Sequence, residues 1–73
     1  MPMLNVRLIE GVFTSAQKQE IIQKLTDTMV SIEGEALRPY TWVVIDEVKS
    51  GDWGMGGKGI TTETVKKIAS GRM

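Results

Sequence analysis

The chain has 73 residues with no cysteine and no histidine, and nine basic side chains balance nine acidic ones. This composition excludes a disulfide framework, removes the usual zinc ligands and lacks the basic footprint of a nucleic-acid binder. Domains this short bury little of their surface, so the 41% hydrophobic content points to one domain, residues 1–73, stabilised by oligomerisation.

Met3 to Ile9 reads as a strand. Leu4, Val6 and Leu8 alternate with Met3, Asn5, Arg7 and Ile9, which is the period of two that a pleated chain imposes. Pro2 fits the first strand position, where a missing N–H costs least, and Gly11 breaks the run. Thr14 and Ser15 then offer helix caps, and Thr14-x-x-Gln17 has the form of a capping box. Apolar Ile21, Ile22, Leu25, Met29 and Ile32 recur at the spacing of one buried stripe, with Lys18, Glu20, Lys24 and Asp27 largely off it. Gly34 stands at the C-cap, giving a helix of about 18 residues, roughly 27 Å long.

Arg38-Pro39 closes a loop, and Tyr40 to Val48 reads as a second strand. Its near-continuous apolar run predicts burial on both faces, as in parallel pairing. Strand, long helix and strand make a right-handed β-α-β unit. The glycine-punctuated stretch from Ser50 to Gly57 predicts a turn and a short hairpin. Thr61 or Thr62 caps a final short helix through Ala69, with Val65 and Ile68 on one side. No apolar run approaches the roughly 20 residues that span a bilayer. The first residues lack a basic region followed by an apolar stretch. The expectation is a cytoplasmic protein with neither nucleic acid nor membrane as partner.

Several of these residues together resemble the 4-oxalocrotonate tautomerase family, in its small-subunit form. They are Pro2 heading the first strand, the Glu10-Gly11 break, Gln17-Lys18 at the helix start, and Trp53-Gly54-Met55-Gly56-Gly57 in the hairpin. The resemblance covers the whole chain with matching spacings. It implies an α/β (α+β) fold: a β-α-β subunit with a short C-terminal hairpin, its strands joined into four-stranded sheets in dimers. It also implies a homohexamer built as a trimer of dimers, with a hetero-hexamer as the variant. Active sites near subunit boundaries would use an amino-terminal proline. The implied reaction is keto–enol proton transfer on a small carbonyl compound, an isomerase activity without cofactor or metal.

The chemistry of Pro2 fits that role. Loss of Met1 leaves a secondary amine at the chain end. An α-amino group titrates near about 8 when unperturbed, and burial among apolar groups lowers that value. A neutral amine near pH 7 is a suitable general base. Leu4, Leu8, Trp42, Trp53 and Met55 are candidates for the apolar wall. The competing reading of Pro2 is a strand-edge proline without chemistry.

The chain departs from the family pattern at the anion clamps. The resemblance implies two arginines that grip a dicarboxylate, and their places hold Val12 and Trp42. Neither can replace a guanidinium fork. The hairpin phenylalanine of the founding enzyme is Trp53 here. A substrate less anionic than 2-hydroxymuconate is therefore expected. Arg7, Arg38 and Lys58 are the candidate replacement cations, each weighed against a solvated or ion-paired surface charge. Trp42 and Trp53 either shape the site or pack an interface. Glu10, Asp46, Glu47 and Asp52 fit surface solvation better than water activation. The glycines match no phosphate-binding loop. Two other readings stand beside the tautomerase. One is a non-catalytic or hetero-oligomeric assembly subunit. The other is a hydratase, dehalogenase or decarboxylase using protonated Pro2.

Overall fold

A computed structural model describes residues 1–71. In chain order these form strand β1 (Met3–Ile9), helix α1 (Ser15–Glu33), a 3-10 helix (Glu35–Tyr40) and strand β2 (Trp42–Val48). Strands β3 (Trp53–Met55) and β4 (Lys58–Ile60) and helix α2 (Thr62–Ala69) follow. β1 pairs with β2, and β3 with β4, as two separate two-stranded sheets. The residues group into two compact units, one of residues 1–6 and 14–46, the other of residues 7–13 with those from 47 on.

In the first unit, the start of α1 is set by the predicted capping box. The Thr14 hydroxyl accepts from the Gln17 N–H at 3.1 Å, and the Gln17 side chain accepts from the Thr14 N–H at 2.9 Å. Two donors that the first turn would leave without partners are thereby satisfied. At the other end the Gly34 N–H reaches the Val30 carbonyl at 2.9 Å. Ile21, Ile22, Leu25 and Met29 are half-buried as the stripe predicts. The stripe turns sooner than expected at its C-terminal end. Val30 is the buried residue, and Ile32 is 79% exposed. At 3.6 residues per turn, Val30 follows Ile22 and Thr26 by steps of four, whereas Ile32 swings to the outer side.

The loop expected around Arg38-Pro39 is instead a 3-10 helix, with Pro39 inside it. Proline is tolerated because a short 3-10 turn needs few N–H donors. This turn takes Tyr40, so β2 begins at Trp42 rather than Tyr40. The Trp42 N–H donates to the Pro2 carbonyl at 3.1 Å, and further along Asn5 Nδ2 donates to Asp46 Oδ2 at 2.7 Å. Both partners advance together, so β1 and β2 run parallel. Within the chain β2 is covered on one face only: Val43 and Ile45 are half-buried, while Trp42 and Val44 are exposed. β1 follows its predicted alternation up to Leu8, but Ile9, expected on the Met3 and Arg7 face, is buried.

In the second unit, the Glu10 N–H donates to the Val48 carbonyl at 2.8 Å. The Glu10 carboxylate accepts from the Ser50 N–H at 3.1 Å, and the Ser50 hydroxyl accepts from the Thr62 N–H at 2.9 Å. This chain of bonds ties the end of β1, the turn after β2 and the start of α2 together. The predicted hairpin is present, with Trp53 opposite Ile60, Gly54 opposite Gly59 and Met55 opposite Lys58. Gly56 and Gly57 at its tip have φ of 60° and 83°, the two positive values of a type I′ turn. The Thr61 hydroxyl caps α2 by accepting from the Thr64 N–H at 3.3 Å. Among the described residues, no helix is long and apolar enough to cross a membrane.

Candidate active site

The first unit carries a cleft of about 230 Å³ lined by Met1, Pro2, Met3, Tyr40 and Trp42. Each member owes its place to local structure. Pro2 stands just before β1, and its carbonyl is fixed by the Trp42 N–H that opens β2. Tyr40 closes the 3-10 helix, whose end is held by the Thr41 N–H bonding the Arg38 carbonyl at 3.2 Å. Met1, Met3, Tyr40 and Trp42 are all more than half exposed, so the cleft walls form an apolar surface open to solvent. The sequence pattern identified Pro2 and Trp42 for this region. It missed Tyr40, which read as the first residue of a strand and turns out to be a wall carrying a phenolic hydroxyl. The signal available was an aromatic directly after a proline, at the foot of a β-prone run.

The second unit carries a groove of about 300 Å³ that brings together Arg7, Trp53 and Met55 with Leu8, Ile9, Phe13, Val65 and Ile68. Arg7 faces outward from β1 and is exposed. Among the described residues no carboxylate pairs with its guanidinium. Trp53 is half-buried at the start of β3. Phe13, just before the α1 cap, is a wall that the sequence reading did not single out.

The other two candidate cations sit elsewhere. Arg38 lies on the 3-10 helix, where its Nε donates to Glu35 Oε1 at 2.7 Å and its Nη1 to Asp27 Oδ1 at 2.7 Å. Its Nη2 also reaches Glu35 Oε2 at 3.3 Å, so the fork is occupied by two carboxylates. Hydrogen bonding to Arg38 holds the Glu35 carboxyl below the usual carboxylate range, and the same bonds, with that to Asp27, raise the guanidinium further. Lys58 is exposed at the start of β4, opposite Met55 in the hairpin register. Val12, where the resemblance places an arginine, is half-buried after Gly11. Among the described residues no group of His, Cys, Asp or Glu side chains could hold a metal ion.

The family model described as tautomerase enzyme matches residues 2–63. The chain belongs to the tautomerase family. A protein of Dickeya dadantii named as a probable tautomerase is 39% identical over 62 residues, covering 84% of this chain and 90% of that protein. Among solved structures of the family, an unfused 4-oxalocrotonate tautomerase in its apo form superposes with a TM-score of 0.72 at 32% identity. That match covers 81% of this chain and 93% of the other. A structure from work on the 4-oxalocrotonate tautomerase isozymes of Methylibium petroleiphilum gives 0.70 at 29% identity, covering 88% and 97%. These matches place the chain with the 4-oxalocrotonate tautomerases and agree with its β-α-β order. Membership of the tautomerase family supports an isomerase function on a small molecule.

Proposed function

We propose that this protein is a tautomerase in which Pro2, freed by removal of Met1, acts as the general base of a keto–enol proton transfer. The observation that carries the reading is Pro2 itself. It is held at the head of β1 by the Trp42 N–H, in a cleft whose other walls are Met1, Met3, Tyr40 and Trp42. With Met1 attached, the Pro2 nitrogen is an amide without basicity. Without Met1 it becomes a secondary amine beside apolar side chains, and closure of the cleft by neighbouring copies would favour the neutral, proton-accepting form. The base removes a proton from the carbon beside a carbonyl, and the resulting ammonium returns it to another atom of the same conjugated system. Atoms balance without a cofactor.

The substrate is a carbonyl compound less anionic than 2-hydroxymuconate, because Val12 and Trp42 occupy the places of the two family arginines. Trp42 walls the cleft beside Pro2 and would stack against a planar enol. Assembly into a hexamer, as a trimer of dimers, fits the surface. The chain exposes 5410 Å², whereas a compact folded monomer of 8.1 kDa exposes roughly 4500 Å². Ile32 and Val44, exposed apolar groups outside the cleft, are part of the surface such an assembly would cover.

The test compares processed protein with Pro2→Ala in the ketonisation of phenylenolpyruvate. Loss of a positioned base lowers the rate by about 100-fold or more. Equal rates for the two proteins, or full activity in protein that retains Met1, would overturn the proposal. Natural protein that keeps Met1 and does not ketonise phenylenolpyruvate would favour the non-catalytic assembly subunit instead.

A further inference from the structure

We propose that the phenolic hydroxyl of Tyr40 is the donor that holds the negative charge arising on the substrate's carbonyl oxygen while Pro2 takes the carbon-bound proton. This rests on the reading of Pro2 as the base and supplies its partner.

Loss of a proton from the carbon beside a carbonyl moves the C–H electron pair into the C–C bond and the carbonyl π pair onto oxygen. The enolate so formed needs a hydrogen-bond donor at that oxygen, and a donor held in place beforehand serves the transition state best. The cleft is lined by Met1, Pro2, Met3, Tyr40 and Trp42, with no charged side chain among them. Processing removes Met1. Of the four residues left, only Tyr40 and Trp42 carry side-chain donors. The main-chain N–H of Trp42 is already given to the Pro2 carbonyl. Its indole N–H lies in the plane of the ring, so a ring that stacks on a planar enol aims that donor past the enol's edge. The Tyr40 O–H turns freely about its C–O bond, and among the described residues no group pairs with it.

The backbone that carries Tyr40 is anchored on both sides. Before it, Pro39 has a fixed φ, and the Arg38 fork is closed on Glu35 and Asp27. After it, the Thr41 N–H bonds the Arg38 carbonyl at 3.2 Å, and the Thr41 hydroxyl bonds the Leu37 carbonyl at 2.9 Å. The ring therefore stands on a pinned turn while its hydroxyl remains available, the combination that a preorganised donor requires.

The experiment compares processed protein with Tyr40→Phe, Trp42→Phe and Pro2→Ala in the ketonisation of phenylenolpyruvate, which passes through the same enolate. Tyr40→Phe keeps the ring and deletes the hydroxyl. Its kcat is expected to fall by about 100-fold, as loss of one oxyanion donor does. KM should change little, because the bond strengthens only in the transition state. Melting temperature and assembled mass should match the parent. A second readout needs no turnover: 4-nitrophenolate, a planar oxyanion that stands in for the enolate, is titrated by calorimetry. Tyr40→Phe should bind it about tenfold or more weakly than the parent. Parental kcat in Tyr40→Phe, or equal binding of 4-nitrophenolate by the two proteins, would overturn the assignment. So would an altered assembled mass in Tyr40→Phe, because the hydroxyl would then belong to a subunit contact. A rate lost in Trp42→Phe but kept in Tyr40→Phe would give the donor to the indole instead. An inactive Pro2→Ala beside a fully active Tyr40→Phe removes Tyr40 and leaves the base in place. A fully active Pro2→Ala removes the base, and the binding comparison then decides Tyr40 separately.

Discussion

Pro2 carries its proposed chemistry on the nitrogen and its position in the fold on the carbonyl, which accepts from Trp42. Alone it read as an ordinary strand-opening proline, and it stood out only together with the Glu10-Gly11 break, Gln17-Lys18 and the hairpin from Trp53 to Gly57. Its partner Trp42 was legible as a β-prone aromatic, but Tyr40 was not, because an aromatic that follows Pro39 and leads into a β-prone run reads as the strand's first residue rather than as the end of a 3-10 turn. Gly59 shows a different kind of constraint. A Cβ there would stand 2.6 Å from the Gly51 carbonyl oxygen, and backbone cannot step aside as a flexible side chain can. Gly59→Ala is therefore expected to cost about 1–3 kcal/mol. For a chain of this size that lowers the melting temperature by roughly 4–8 °C per kcal/mol. A thermal melt followed by circular dichroism decides the matter, and an unchanged midpoint would show that the hairpin relaxes freely.

Among the elements, α1 was the most legible and the connection after it the least. Thr14 and Gln17 announce the helix start because the capping box is a local reciprocal bond, readable from two residue types at fixed spacing. The apolar stripe located the buried face but put Ile32 inside and left Val30 out, since a helix end drifts away from a pattern fitted to its middle. The 3-10 helix was read as a loop because Arg38-Pro39 looks like punctuation. The turn is closed by the Leu37 N–H on the Gly34 carbonyl and the Thr41 N–H on the Arg38 carbonyl, both at 3.2 Å, and the exposed pairs of Arg38 with Glu35, three residues away, and with Asp27 on α1 add to it.

This element carries a pH prediction. Glu35 titrates below its ordinary value because its charged form bonds Arg38. A carboxyl lowered in this way contributes stability above its ordinary unfolded value, near 4.5, and loses it as the pH falls through the lowered folded value. The groups are solvent-exposed, so the effect is small and screened by salt. Arg38→Gln should reduce the acid-induced part of the unfolding shift below pH 4.5, with little change in its salt dependence at pH 3. The check is the difference in denaturant midpoint between pH 6 and pH 3 for both proteins. Identical differences would remove the ion pair from the account.

At the scale of the whole molecule, only Ile9 and Val30 are buried apolar side chains among the described residues. Two buried side chains are a thin core for a chain with 41% hydrophobic residues, and the apolar content must find cover elsewhere. The sequence predicted β2 as buried on both faces. Trp42 and Val44 are instead exposed, because the chain brings no covering element to that face; in the proposed assembly other copies would cover it. On the proposed hexamer, light scattering should find six copies of the 8.1 kDa chain, about 49 kDa, and Val44→Asp should shift the population to smaller species. A stable monomer of native spectrum would contradict the assembly.

The bond from Trp42 to the Pro2 carbonyl has a practical side. It grips the residue from the side of the chain that continues into β1 and leaves the other side unconstrained. A purification handle fused ahead of Met1 would thus leave this rung of the ladder unchanged, and the tagged product would fold, melt and scatter light like the natural one. Its nitrogen would nonetheless be sealed in a peptide bond, so on the proposed mechanism the preparation would look sound in every biophysical assay and be inert in the only one that matters for turnover. Handles belong at the opposite end of this chain.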